Sequence, residues 1–148
     1  MSDILSKIIG IVLAFILLAF APLTINMLSN DLTAKRESIN EVTNFINVVS
    51  DTGRITENQL KDFYTGCASH GIAFDVKIKR YQKILNPGNF KGTTVSYILN
   101  DNIKQFNKGD IIQVSLQAVD WSGSERILWQ IFRLSQPKFE FTLAGKVR

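Results

Sequence analysis

The sequence lacks the parts from which cross-links, metal sites and active sites are usually made. It has one cysteine, Cys67, so no disulfide can form within the chain and the fold must stand on its core. It has one histidine, His70, and the C-x-x-H pair formed with Cys67 supplies only half of a closed tetrahedral zinc site. A catalytic Cys67–His70 dyad is no better supported, because Gly66 and Gly71 place the pair in a loop and not in a braced site. No nucleophile, base and orienting group occur together. No catalytic residue, metal or cofactor is expected, and the chain reads as a non-enzyme.

Other absences narrow the partners. There are no internal repeats and no low-complexity tracts. Charge of one sign is only mildly in excess, with 17 basic against 13 acidic residues, so the net charge of +4 suits lipid headgroups as well as nucleic acid, and nucleic acid is not the expected partner. The basic run Lys77, Lys79, Arg80 and Lys83, with Tyr81 inside it, reads as a solvated strand face. Gly88-Asn89-Phe90-Lys91-Gly92-Thr93-Thr94 has the composition of a phosphate loop, but its lysine precedes the second glycine, so the backbone cradle and the cation are out of register. Trp121 and Trp129 read as core or edge aromatics.

Charge is also missing from one long stretch. From Ile8 to Asn30 no residue is charged, and Ile8 to Ala21 is apolar throughout. A helix of about 20 residues spans a hydrocarbon core of about 30 Å, so this run is long enough to cross a membrane. The competing reading is a cleaved signal peptide, with Ala19-Phe20-Ala21 as its small-x-small site. Pro22 stands where the scissile bond would follow, and its ring constrains that bond unfavourably, so a retained helix is the reading adopted. Lys7 before the run is nearly balanced by Lys35 and Arg36 after it; the orientation taken has the short N-terminus inside and the domain outside.

Beyond Pro22 the residues Ile25, Leu28, Leu32, Ile39, Val42, Ile46 and Val49 continue one apolar stripe, interrupted only by Lys35. The spacing predicts one long helix from about Asp3 to about Asp51, kinked near Pro22, half apolar on every side and half amphipathic. A separate stalk after the membrane segment is the alternative. Domains are accordingly expected at 1–52, the helix, and 53–148, a globular part.

In that part, Thr56 and Gln59 form a capping box that should start a helix ending near Gly66. Phe74, Val76 and Ile78 alternate as a strand closed by Asn86-Pro87-Gly88-Asn89. Val95, Ile98, Leu99, Ile103 and Phe106 predict a helix from about Thr94 to Phe106, although Val95-Ser96-Tyr97 could begin a strand instead. Ile112 to Ala118 alternate as the clearest strand, a second capping box at Ser122 and Glu125 opens a helix carrying Ile127, Leu128, Ile131 and Phe132, and Pro137 stops it. Phe139, Phe141 and Leu143 form the last strand. The expected fold is α+β: a long N-terminal helix packed through Leu32, Ile39, Val42, Ile46 and Val49 on a small three-stranded sheet with short helices.

An apolar helix with a late proline, its amphipathic continuation and a small sheet laid on it: this arrangement resembles type IV pilin-like proteins. Val42-Thr43-Asn44-Phe45, Thr52-Gly53-Arg54-Ile55-Thr56, Lys108-Gly109-Asp110 before a strand, and Ala144-Gly145-Lys146-Val147-Arg148 look like small pilin-like proteins of Gram-positive bacteria associated with tight-adherence-type machinery. The resemblance implies a structural subunit of a pilus-like filament, self-associating through its hydrophobic helix, with lipid membrane and pilus or secretion machinery as further partners. Asp3, Lys7, Ile11, Phe15, Leu18 and Pro22 are then the assembly and membrane-helix residues, and the location is a membrane anchor with an extracytoplasmic domain or an extracellular filament. One departure is specific. Type IV prepilins carry a glutamate five residues into the mature helix, whereas Phe15 stands at that place after Gly10, and Asp3 is the only acid near the apolar run on its N-terminal side. The alternative is a monomeric membrane-anchored extracytoplasmic module for binding or secretion.

Overall fold

The computed structural model describes residues 2–87, 93–133 and 138–148. The elements are α1 (Ser2–Thr52), α2 (Glu57–Ser69), β1 (Phe74–Pro87), β2 (Thr93–Asn100), β3 (Ile111–Ala118), α3 (Gly123–Phe132) and β4 (Glu140–Lys146). They fall into two compact units, Met1–Thr33 with Ser122–Gln136, and Ala34–Trp121 with Pro137–Arg148.

The 51-residue α1 runs through Pro22 without a break in its helical assignment. Proline has no N–H to offer the carbonyl of Leu18, and two residues on the Thr24 hydroxyl donates to the Phe20 carbonyl at 2.8 Å. Gly53 ends the helix. Its φ of +65° is a left-handed conformation that costs glycine nothing, its N–H donates to the Val49 carbonyl at 2.8 Å, and a Cβ there would come within 3.2 Å of the Phe106 carbonyl oxygen.

In the larger unit the sheet is antiparallel with order β2-β1-β3-β4, so it has four strands and not the expected three. The added strand lies where a helix from Thr94 to Phe106 was expected. Val95, Tyr97, Ile98 and Leu99 are all exposed, so their helical spacing marks no buried stripe. What orders the segment is its β-branched and aromatic content and a backbone ladder with the far half of β1, from Arg80 opposite Asn100 to Pro87 opposite Thr93. Only Phe106 of the expected helix face reaches the core, from the irregular stretch that follows. β1 correspondingly continues past Ile78 to Pro87. The remainder of the expected Asn86–Asn89 turn, most of the Gly88–Thr94 loop and the stop at Pro137 lie outside the described residues.

Register builds one apolar face. Val76 stands opposite Leu116, Ile78 opposite Val114, and β4 sets Leu143 and Phe141 against Val114 and Leu116. Against this face the core gathers Val42, Phe45, Ile46 and Val49 of α1, with Phe63 and Cys67 of α2. Phe45 and Phe63 stack with ring centroids 4.3 Å apart. Gly145 of β4 permits a close approach, because a Cβ at that position would collide with Ile46 Cγ2 and stand 2.9 Å from Ser50 Oγ. Leu32, 59% exposed, lies outside this cluster, and Ile39 is half-buried.

α2 starts at the expected capping box, with the Thr56 N–H donating to Gln59 Oε1 at 2.9 Å and the Gln59 N–H to Thr56 Oγ1 at 3.3 Å. It runs to Ser69 instead of stopping near Gly66. Gly66 sits inside the helix because the Glu41 carboxyl occupies the space where a side chain would project, 3.0 Å from a Cβ. Arg80, expected in a solvated basic run, is 5% exposed and belongs to a buried ion pair.

In the smaller unit α3 also begins with its capping box: the Ser122 N–H donates to Glu125 Oε2 at 3.0 Å, and the Glu125 N–H to Ser122 Oγ at 3.4 Å. Ile127 and Leu128 are half-buried, whereas Trp129 is 47% exposed and so is not a core aromatic; the side chains of Ile131 and Phe132 lie outside the described set.

Candidate functional site

The chemistry this chain concentrates most strongly is uncharged hydrocarbon. An 18-residue stretch near the start of α1 has a mean hydropathy of 2.8 and no part of it is buried within the chain; by length and composition the helix suffices to cross a membrane. The exposure is on all sides: Ile11, Phe15 and Leu18 are 70%, 73% and 76% exposed. Each such large side chain gains roughly 1.5–3 kcal/mol when fully removed from water. A helix apolar around its whole circumference is stable only in lipid or against other apolar surfaces.

At 100° per residue, Asp3, Lys7, Ile11, Phe15, Leu18 and Pro22 lie within about a third of the helix circumference, so they make one exposed side of α1. Asp3 is in the first turn, where the helix dipole favours an acid. Asp3 and Lys7 stand four residues apart, yet no ion pair joins them among the described residues.

The other end of the apolar segment carries a polar device that sequence spacing did not indicate. Asp31, the first charged residue after the uncharged run, accepts from the Ser124 N–H at 3.0 Å and from the Ser124 hydroxyl. Ser122 and Ser124 are both buried, and a Cβ on Gly123 would lie 3.4 Å from Met27 Cε. Asp31 therefore serves the free amides at the start of α3 from 93 residues away in sequence. The available signal was the S-x-x-E box, which announces a helix start but cannot say which distant acid completes it.

A second polar cluster also went unread. The Arg80 guanidinium donates to Asp110 Oδ2 through Nε at 2.9 Å and Nη2 at 2.7 Å, and to the Asn102 carbonyl through Nη1 at 3.1 Å. Asp110 Oδ1 accepts from the Lys83 N–H at 3.0 Å and Oδ2 from the Asn107 N–H at 2.9 Å. Burial pushes the Asp110 carboxyl upward, but the Lys83 and Asn107 amides and the Arg80 guanidinium outweigh it and hold the carboxyl below its ordinary range. Both carboxylate oxygens of Asp110 accept from these groups. Its role is structural: it ties the β1 strand to the Lys108-Gly109-Asp110 turn, where Gly109 has φ +94°.

Cys67 is 2% exposed in the apolar core, where burial, then the nearby Glu41, raise its thiol to about 11, so it stays protonated at neutral pH. His70 caps the end of α2, its Nε2 buried with no hydrogen-bond partner among the described residues. No group of three or more His, Cys, Asp or Glu side chains that could hold a metal occurs among the described residues.

Comparisons with known protein families, with curated proteins and with solved structures find no match to this chain.

Proposed function

We propose that this protein is a membrane-inserted structural subunit that assembles into a pilus-like filament through α1, with its α+β domain on the extracytoplasmic side. The observation that carries the reading is the exposed apolar half of α1, whose side chains have no cover within their own chain. Lipid covers them before assembly and neighbouring copies of the helix cover them afterwards, packed by close side-chain contact. The resemblance to type IV pilin-like proteins adds the filament to this physical requirement. Asp3 and Lys7, unpaired with each other, give the helix surface one charge of each sign with which adjacent copies can be registered.

The test is electron microscopy of native material from expressing cells, with regular filaments containing the full chain as the expected result. Asp3→Ala should lower filament yield while the outer domain stays folded, as judged by its thermal unfolding. Detergent-dispersed monomers under the same conditions would overturn assembly. The absence of any acid between Ile8 and Asn30 favours a second reading, an anchored monomeric module for binding or secretion, and that outcome would select it.

A further inference from the structure

We infer that α3 is an interfacial element, lying in the lipid headgroup layer beside the end of the membrane segment, with its depth set by Asp31. The inference rests on the reading of the uncharged run Ile8–Asn30 as membrane-inserted, and it holds for the filament precursor and the anchored monomer alike. A carboxylate is costly near the middle of a bilayer, so the first acid after the uncharged run marks where hydrocarbon ends. That acid is the one bonded to α3: Ser124 donates to Asp31 through its N–H at 3.0 Å and through its hydroxyl, and Gly123 faces Met27, one helical turn before Asp31. The start of α3 is thereby held at the depth of the boundary.

The rest of α3 has the chemistry that this layer selects. The helix of 10 residues carries Arg126 and Trp129, and Arg133 caps its end in a left-handed conformation. Trp129 is 47% exposed and Arg133 is exposed, while Ile127 and Leu128 are half-buried. An indole with an apolar body and one N–H donor is most stable between acyl chains and headgroups, and arginines reach phosphate oxygens from the same level. At the boundary the indole adds apolar burial to the anchor of α1, as amphipathic helices do in the interfacial plane.

The chain has two tryptophans, Trp121 and Trp129, so Trp121→Phe leaves Trp129 as the only indole. The full-length variant is reconstituted into vesicles of phosphatidylcholine and phosphatidylglycerol, and its emission is measured with lipids brominated either near the top of the acyl chains or near their ends. The expected result is co-flotation with the vesicles, a blue shift of Trp129 emission relative to free indole in water, and stronger loss of emission with the shallow bromines. Co-flotation with water-like, unquenched emission would overturn the placement of α3 and leave the membrane helix standing. Failure to float would remove the membrane reading and this inference together. Trp129→Phe provides a control that does not depend on the first variant folding: the quenching seen in the unmodified protein should be largely lost, and undiminished quenching would assign the signal to Trp121 and overturn the proposal.

Discussion

The two halves of α1 obey the same helical geometry but meet opposite fates. From Ile4 to Leu28 large apolar side chains point in every direction and stay exposed, whereas Val42, Phe45, Ile46 and Val49 share one side and are buried, Val42 and Val49 completely, with only Val48 of that stretch turned outward. The difference is the angular distribution of hydrocarbon. A one-sided stripe can be satisfied by a sheet of the same chain, whose face of Val76, Ile78, Ile112, Val114 and Leu116 has the matching period of two. A helix apolar all round exceeds what one sheet can cover, and its second half of the work falls to lipid or to other molecules.

The largest expected effect comes from removing the first half. Full-length protein should need detergent or assembly to stay in solution, and deleting residues 1–30 should leave a water-soluble domain, scored by its appearance in the supernatant after ultracentrifugation. Full-length protein that is soluble and monomeric without detergent would erase the contrast between the halves. Next, Val42→Asp places an unpaired charge in the core and should destabilise the domain by about 4 kcal/mol or more, read by chemical denaturation. The same replacement at Leu32, which is 59% exposed, should leave the stability within about 0.5 kcal/mol. Equal effects at both positions would contradict the confinement of the packed stripe to the later part of α1.

Asp110→Ala should cost about 3–5 kcal/mol, because it leaves the Arg80 guanidinium buried without its anion. The pH dependence has a defined sign. Since the folded carboxyl titrates below its unfolded value of roughly 4, its contribution is fully present above that value and is lost as pH falls through the lower folded value. Thermal unfolding of the intact domain should therefore become steeply acid-sensitive only below about pH 4, and the variant should show a flatter acid limb. A smaller loss than at Val42 or Asp110 is expected at the helix–sheet contact itself. Gly145→Ala forces its new carbon into Ile46 and should cost about 1–3 kcal/mol through overpacking. No loss of stability would mean that α1 yields at this point and that the contact is looser than the register implies.

Legibility in the sequence followed the range of the interaction. Both capping boxes, Thr56 with Gln59 and Ser122 with Glu125, were readable because every partner lies within one turn. The alternation from Ile112 to Ala118 was equally plain, since one buried face at period two leaves a local mark. β2 was misread because its Val95, Ile98 and Leu99 happen to fit a helical spacing while none of them is buried, so periodicity reported a face that does not exist. Gly66 looked like a stop because a glycine inside a helix is unfavourable unless something needs the space, and the occupant, Glu41, comes from another element. Within the candidate site the apolar run was unmistakable. Asp31 was not, because its partner Ser124 is 93 residues away and an acid after an apolar run has no local reason to cap another helix.

The sequence by itself determined that α1 would be long, that its first half would be apolar on all sides and its second half on one, and where the short helices would begin, because each of these depends on residues within a few positions of one another. Tertiary structure decided which strand the segment after Gly92 would join, that Arg80 would turn inward to Asp110 when its neighbours Lys77 and Lys79 stay outside, and that Asp31 would hold the start of α3. Those outcomes depend on bonds between separate elements, from Pro87 opposite Thr93 to Asp31 with Ser124, and such bonds exist only after the chain has folded.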